Sequence, residues 1–153
     1  MGPLKLIDIP PVWLAIAIGV LAAETRMTGG LTLPGWTGLV GWGLIGAGLL
    51  LMFLALAAFS RGRTSPIPHT APQAILTEGV FSISRNPIYL GDALVLLGIG
   101  VLWGAASVVL VAPLFVFLIE RRFIRAEEDR LQAAFPEEWS AYRAAVPRWV
   151  GRP

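Results

Sequence analysis

The sequence contains no cysteine and a single histidine, His69. The absence of cysteine excludes disulfides, thiolate zinc sites and cysteine nucleophiles. A lone histidine also argues against a metal centre, because histidine-based sites usually combine several imidazoles. We therefore expect no metal, and any chemistry has to use other polar side chains or a bound cofactor.

Charge is equally scarce. Charged residues make up 14% of the chain, against about 25% in ordinary soluble domains. The formal net charge is +2 and the arginines lie beside apolar runs, so we expect no nucleic-acid partner. By contrast, 56% of the 153 residues are hydrophobic, more than a small soluble domain can bury. The composition predicts an all-α integral membrane protein with one domain.

Four apolar runs are candidate membrane spans: residues 11–23, 35–59, 88–102 and 105–119. The first is short for a bilayer that needs about 20 residues, and a cleaved signal peptide is the alternative, disfavoured by Asp8 and the prolines at 10 and 11. The last two form one stretch that bends at Trp103 and Gly104, which predicts a tight helical hairpin. One long tilted helix over residues 88–119 is the alternative.

Arginine placement predicts the topology. Basic residues follow the second and fourth runs, and the other two connections carry only Arg26. The clustered arginines are Arg61, Arg63, Arg85, Arg121, Arg122 and Arg125. By the positive-inside rule these segments are cytoplasmic, and four spans then place both termini in the cytoplasm. We expect a bacterial inner-membrane protein.

The third run begins with a recognisable helix start. Asn86 is a good N-cap and Pro87 a good first helical residue, while the prolines between residues 66 and 72 favour extended chain before them. Tyr89 and Asp92 share one helical face, and Gly91 leaves room for something to approach the backbone. An aspartate in an apolar run suggests a site or a buried pair, with Arg85 or Arg63 as partner. A plainer interpretation is a helix start with an interfacial arginine.

The polar tail after the fourth run has apolar residues at helical spacing. It predicts an amphipathic cytoplasmic helix that extends from residue 120 towards Phe135. The plainer interpretation of its charges, including Glu127 and Glu128, is a solvated helix on the membrane surface.

Three ordered blocks resemble one family. Residues 76–91 read LTEGVFSISRNPIYLG, Glu127 and Glu128 follow after the hairpin, and the chain closes with Trp139, Tyr142 and a VPRW block at 146–149. These blocks are similar to the isoprenylcysteine carboxyl methyltransferase and phospholipid methyltransferase superfamily, whose signature is Arg-His-Pro-x-Tyr-x-Gly followed by a Glu-Glu pair. The resemblance covers roughly residues 64–150 of the chain.

The resemblance implies a membrane methyltransferase that uses S-adenosylmethionine. Residues 1–59 would supply two spans, and residues 60–153 the cofactor-binding catalytic region. The acceptor would be lipophilic or amphipathic, such as an isoprenylcysteine-like carboxylate, a phospholipid amine or a small hydrophobic molecule. Carried over by position, the catalytic candidates are Arg85, Asn86, Tyr89, Arg122 and Glu127. The cofactor-binding candidates are Asn86, Pro87, Tyr89, Gly91, Glu127 and Glu128.

Asn86 stands where the family has histidine. An amide can hydrogen-bond a cofactor but does not titrate near neutral pH, so it cannot act as a general base. This substitution favours an acceptor that is already nucleophilic at neutral pH, such as a carboxylate.

Two alternatives remain open. Membrane sterol reductases, which use NADPH, have a related block that ends in Gly-Asp, similar to Gly91 and Asp92, but Pro87 follows the methyltransferase pattern. A small transporter or structural membrane protein would use Asp92 and the arginines for permeation or packing. That alternative leaves the three ordered blocks unexplained.

Overall fold

The structure is a computed structural model, and it describes residues 8–62 and 73–152. Within these ranges every regular element is helical. The helices are α1 (Pro10–Thr28), α2 (Thr37–Arg61), α3 (Pro87–Trp103), α4 (Val108–Ile119), α5 (Arg125–Ala134) and α6 (Pro136–Ala145). A 3₁₀ turn at Gly79–Ser82 precedes α3, and a π-helical segment at Glu120–Ile124 joins α4 to α5. The predicted extended stretch at 66–72, with Arg63 and His69, lies outside the described residues.

Helices α1 and α2 are long and apolar enough to cross a membrane, with 19 and 25 residues. Their apolar side chains point outwards: Leu39 is 79% exposed and Phe53 67% exposed. So much exposed apolar surface is unfavourable in water, so lipid is the natural environment of these two helices. The helices α3 and α4 have 17 and 12 residues, fewer than the roughly 20 that span a bilayer unaided. The structure thus supports a membrane protein with two clear candidate spans.

Helix α2 packs closely against α3 through pairs of glycines. A Cβ added to Gly98 would lie 2.6 Å from the carbonyl oxygen of Gly41, and one added to Gly48 would lie 2.6 Å from that of Gly91. Gly41 and Gly48 in the second apolar run therefore allow close approach of the two helices. The space beside Gly91 is filled by α2, because its added Cβ would lie 2.5 Å from Met52 Cγ. A ligand does not approach the backbone at this side of Gly91.

The predicted hairpin is confirmed. Helix α3 ends at Trp103, and Gly104 turns the chain with a φ of 62°. The single long helix over residues 88–119 is therefore wrong. At this end of the bundle the N–H of Leu31 donates to the carbonyl oxygen of Gly104 at 2.8 Å. The carboxylate of Glu24 accepts bonds from the N–H and hydroxyl of Ser107, which fastens α1 to the start of α4.

The main core lies between α1, α3 and α4. Its fully buried members include Leu21, Leu96, Ile119 and Phe123. Because Leu21 belongs to this core, α1 is an integral part of the folded bundle.

Beyond α4 the chain stays helical to Ala134 and then breaks. Pro136, the first residue of α6, restricts Phe135, which adopts a φ of −139°. The sequence predicted an amphipathic helix from residue 120 towards Phe135, but it did not predict the break and the second helix that follow. Helix α6 then folds back, and Trp139, Tyr142 and Val146 form a second core.

Candidate functional site

The N-terminus of α3 is the centre of the candidate site. Asn86 occupies the N-cap position and Pro87 is the first helical residue, which confirms the predicted helix start. The Asn86 side chain does not cap the helix, however. Its Nδ2 donates to the carbonyl oxygen of Arg148 at 3.0 Å, and its backbone N–H donates to Ser84 Oγ at 3.1 Å. The amide is therefore engaged in holding the C-terminal segment.

That segment, residues 146–149, is bound along the entry to α3. Ser84 Oγ donates to the same Arg148 carbonyl oxygen at 3.2 Å. The backbone N–H of Arg85 donates to the carbonyl oxygen of Pro147 at 3.0 Å. The phenol of Tyr142 donates to the carbonyl oxygen of Phe81 at 2.7 Å. These bonds fix the C-terminal block beside the helix start, although more than 60 residues separate them in sequence.

Tyr89 and Glu127 meet across the fold. The phenol of Tyr89, on the first turn of α3, donates to Oε1 of Glu127 at 2.8 Å. Tyr89 is 7% exposed. Burial raises the pKa of Glu127, although the hydrogen bond from Tyr89 and the charge of Arg130 oppose that rise. The predicted proximity of the Tyr89 block and the glutamate pair is therefore present in the structure.

Arg85 is buried with part of its bonding capacity unused. Its side chain is 9% exposed, its Nη1 lies 3.0 Å from Oε1 of Glu128, and its guanidinium lies over the Trp139 ring at 5.4 Å. The contact to Glu128 is an ion pair. Among the described residues, neither Nε nor Nη1 of Arg85 makes a hydrogen bond. Burial lowers the pKa of Arg85, and the charge of Glu128 opposes this.

Arg148 joins two glutamates. Its Nε and Nη2 donate to Oε1 and Oε2 of Glu128 at 3.0 and 2.6 Å, and its Nη1 donates to Oε1 of Glu120 at 3.0 Å. The hydrogen bonds to Glu128 raise the pKa of Arg148. Trp149 Nε1 also donates to Glu120 at 3.3 Å. Neither Arg148 nor Glu120 was among the predicted site residues. The lone charge within the VPRWV sequence at 146–150 was the signal for Arg148.

One predicted site residue faces elsewhere. Arg122 Nε lies 2.7 Å from Oδ1 of Asp8, and its guanidinium stacks over the Trp13 ring at 5.3 Å. It ties the segment after α4 to the start of α1. The contacts that link Arg85, Tyr89 and the glutamate pair do not include it.

A cleft of about 770 Å³ lies near this region, between the end of α2 and the chain before α3. Its walls are mainly apolar, and its rim carries Arg61 and Glu78. The apolar lining includes Leu54, Ala58, Ile75, Leu76, Val80 and Ile83. A space of this size can hold a drug-sized molecule.

The side chains around α3 suit S-adenosylmethionine. Carboxylates such as Glu127 and Glu128 can bind ribose hydroxyls or an ammonium group. Nε of Arg85 is a buried donor that bonds to none of the described residues, and a guanidinium N–H of this kind can bind a carboxylate. Within residues 8–62 and 73–152, no cluster of three metal-ligating side chains occurs. The donor set thus fits an organic cofactor with a carboxylate, an amine and hydroxyls.

Comparison with known proteins identifies the family. The sequence profile named Phospholipid methyltransferase matches residues 36–138, about two thirds of the chain. The chain belongs to the phospholipid methyltransferase family. This family lies within the isoprenylcysteine and phospholipid methyltransferase group indicated by the three blocks. The matched region contains α2, α3, α4 and both members of the Tyr89–Glu127 pair.

The chain also resembles a curated protein over about half of its length. The chain is 32% identical over 78 residues to the cobalt-zinc-cadmium resistance protein CzcN of Cupriavidus metallidurans. The match covers 51% of this chain and 36% of that protein, so the chain spans about a third of the relative's length. No solved structure matches the chain.

Proposed function

We propose that this protein is a membrane methyltransferase that takes its methyl group from S-adenosylmethionine. The observation that carries the proposal is the hydrogen bond of 2.8 Å between Tyr89 and Glu127. It joins the Arg-Asn-Pro-x-Tyr-x-Gly block to the glutamate pair, and no local feature of the sequence requires the two to meet. The bound cofactor would supply an electrophilic methyl group on a sulfonium.

The chain's own residues would bind and orient that cofactor. Glu127 and Glu128 offer carboxylates to its hydroxyls or amine, and Arg85 offers its Nε donor to its carboxylate. Asn86 is a positioning residue in this scheme, since its amide holds the Arg148 carbonyl in place. Arg148 in turn orients Glu128 through two hydrogen bonds. Positioning of this kind can provide most of the rate of a displacement that needs no protein nucleophile.

We propose that the acceptor is lipophilic or amphipathic. The exposed apolar surface of α2 supports access from lipid, and the cleft beside Leu54 combines apolar walls with Arg61 and Glu78. Isoprenylcysteine-like carboxylates, phospholipid amines and small hydrophobic molecules all fit these properties.

We further propose four spans in a bacterial inner membrane, with α3 and α4 as a short hairpin. Arg61, Arg85, Arg121 and Arg148 belong to one end of the bundle, together with the glutamate pair. By the positive-inside rule this end, with both termini, is cytoplasmic.

The test is ligand binding by calorimetry to the full chain in detergent. S-adenosylhomocysteine and S-adenosylmethionine should bind, and Glu127→Gln should weaken both by about tenfold, equivalent to one lost strong hydrogen bond. Glu138→Gln, at an exposed position on α6, is the matched control and should bind normally. Binding of NADPH without the adenosyl ligands would overturn the proposal in favour of a reductase. If none of the three binds, the protein is not a methyltransferase.

A further inference from the structure

Asp92 is a buried carboxylate that the proposed cofactor contacts leave unused. It is 4% exposed and lies on α3, three residues after Tyr89 and therefore on the same helical face. Among the described residues it has no hydrogen-bond or ion-pair partner. Of the two partners expected from sequence, Arg85 is paired with Glu128 instead, and Arg63 lies outside the described residues.

The elements packed around Asp92 offer it no cation. No titratable side chain occurs from residue 37 to residue 60 of α2 or in α4, and those of α1 lie at its far end, at Glu24 and Arg26. The charge of Asp92 acts on Tyr89 of its own helix, and Glu127 and Arg130 of α5 act on Tyr89 as well, but neither Glu127 nor Arg130 is bonded to Asp92. Burying an unpaired carboxylate in an apolar bundle is unfavourable, and such residues usually serve a site. A cationic ligand would supply the partner that the described residues do not give Asp92.

Resting on the proposed function, we propose that Asp92 binds the ammonium group of an amine acceptor and takes its proton. An alkylamine with a pKa of about 10 is protonated at neutral pH and has no free electron pair to accept a methyl group. Transfer of the N–H proton to Asp92 Oδ frees that pair. The pair then forms the new N–C bond while the C–S bond of the sulfonium donor breaks, and its electrons remain on sulfur.

Asp92 would thus act as the general base that Asn86 cannot provide, because the Asn86 amide does not titrate. It also selects between acceptor classes. A carboxylate acceptor would place a second anion beside Asp92 in an apolar environment, where like charges repel strongly. The isoprenylcysteine-like carboxylate suggested by the sequence is therefore disfavoured, and a lipophilic amine is favoured.

The test compares two ligands of equal chain length, dodecylamine and dodecan-1-ol, by titration into the full chain in detergent. Wild-type protein should bind the amine more tightly than the alcohol. Asp92→Asn should weaken amine binding by about tenfold or more and leave alcohol binding unchanged. The control Asp129→Asn removes the same charge from an exposed position on α5 and should behave like wild type. Equal amine binding by wild type and Asp92→Asn would overturn the proposal.

A parallel titration with S-adenosylhomocysteine separates this proposal from the function on which it rests. Asp92→Asn should retain adenosyl binding, because Asp92 has no contact with Glu127 or Arg85. If wild-type protein does not bind S-adenosylhomocysteine, the proposed function is refuted. If wild-type protein binds S-adenosylhomocysteine but does not prefer dodecylamine to dodecan-1-ol, only the role of Asp92 is refuted. Thermal unfolding checks the fold: Asp92→Asn should unfold at the same temperature or higher, since an unpaired buried charge is removed. A lower unfolding temperature would indicate a structural role and contradict the proposal.

Discussion

The phenol of Tyr89 donates a hydrogen bond of 2.8 Å to Glu127, a residue 38 positions further along the chain. This bond closes the loop that contains the α3–α4 hairpin and brings two sequence blocks to one place. It gives the candidate site its geometry before any ligand binds.

A double-mutant cycle should detect this bond in the free energy of unfolding. Tyr89→Phe and Glu127→Gln each remove or weaken it, and hydrogen bonds to charged groups contribute about 1.5–3 kcal/mol. We expect a coupling energy of about 1 kcal/mol or more between the two changes, measured by chemical denaturation in detergent. Strictly additive effects would show that the two groups do not interact in solution.

The packing of α2 against α3 predicts opposite results at two glycines. Gly91→Ala should destabilise the protein by about 1–3 kcal/mol, because the new methyl group overlaps Met52 and the Gly48 carbonyl oxygen. Gly46→Ala should be neutral or stabilise by about 0.5–1 kcal/mol, since nothing lies within 4 Å and alanine favours the helix. The measurement is the denaturation midpoint of each variant in detergent. Equal midpoints for the two variants would contradict the close contact.

Arg148 should matter more than a neighbouring arginine. Arg148→Ala leaves Glu128 and Glu120 without their shared donor, which should lower the free energy of unfolding by about 1–3 kcal/mol. It should also weaken adenosyl binding, because Glu128 is no longer oriented. Arg143→Ala, at an exposed position on α6, should change neither property. Thermal unfolding and calorimetry on both variants provide the comparison, and indistinguishable variants would rule out the bridging role.

In the ligand-free protein, the stability contributions of two glutamates should change with pH in opposite directions. Burial raises the pKa of Glu127, so its contribution to stability is complete below its ordinary value of 4.5 and is lost as the pH rises through the raised pKa. For Glu120, burial raises the pKa, but bonds from Arg125 and Trp149 and the charge of Arg148 bring it below 4.5. Its contribution is present above 4.5 and is lost as the pH falls through the lowered pKa.

Unfolding temperatures measured from about pH 3 to pH 7 check this pair. Glu127→Gln should reduce the loss of stability at the upper end of the range. Glu120→Gln should reduce the loss at the acid end. If both variants follow the wild-type profile, the two side chains keep ordinary pKa values in the folded protein.

Local signals in the sequence were sufficient for α2, for the hairpin turn and for the start of α3, although not for the break between α5 and α6. The uncharged run before Arg61 predicted α2, Gly104 predicted the hairpin turn, and Asn86 with Pro87 predicted the start of α3. Each of these features depends on neighbours within a few residues. The pattern in the sequence therefore contains the information that determines them.

Contacts between distant residues were not accessible in the same way. Arg122 was expected in the site but pairs with Asp8, 114 residues away, and Arg148 was not expected there but binds Glu128. Which arginine reaches which carboxylate depends on the path of the whole chain. The resemblance to a family identified the blocks that meet, but not the side chains that join them.

The attachment of residues 146–149 to the start of α3 has a consequence for biosynthesis. Ser84, Arg85 and Asn86 all bond to carbonyl oxygens of Pro147 or Arg148, and Glu120 and Glu128 share the Arg148 guanidinium. The helices can enter the membrane one after another during translation, but Glu120 and Glu128 are bridged to each other only after residue 148 has been made. The full set of contacts around the Arg148 guanidinium is therefore completed after the helices themselves have been synthesised.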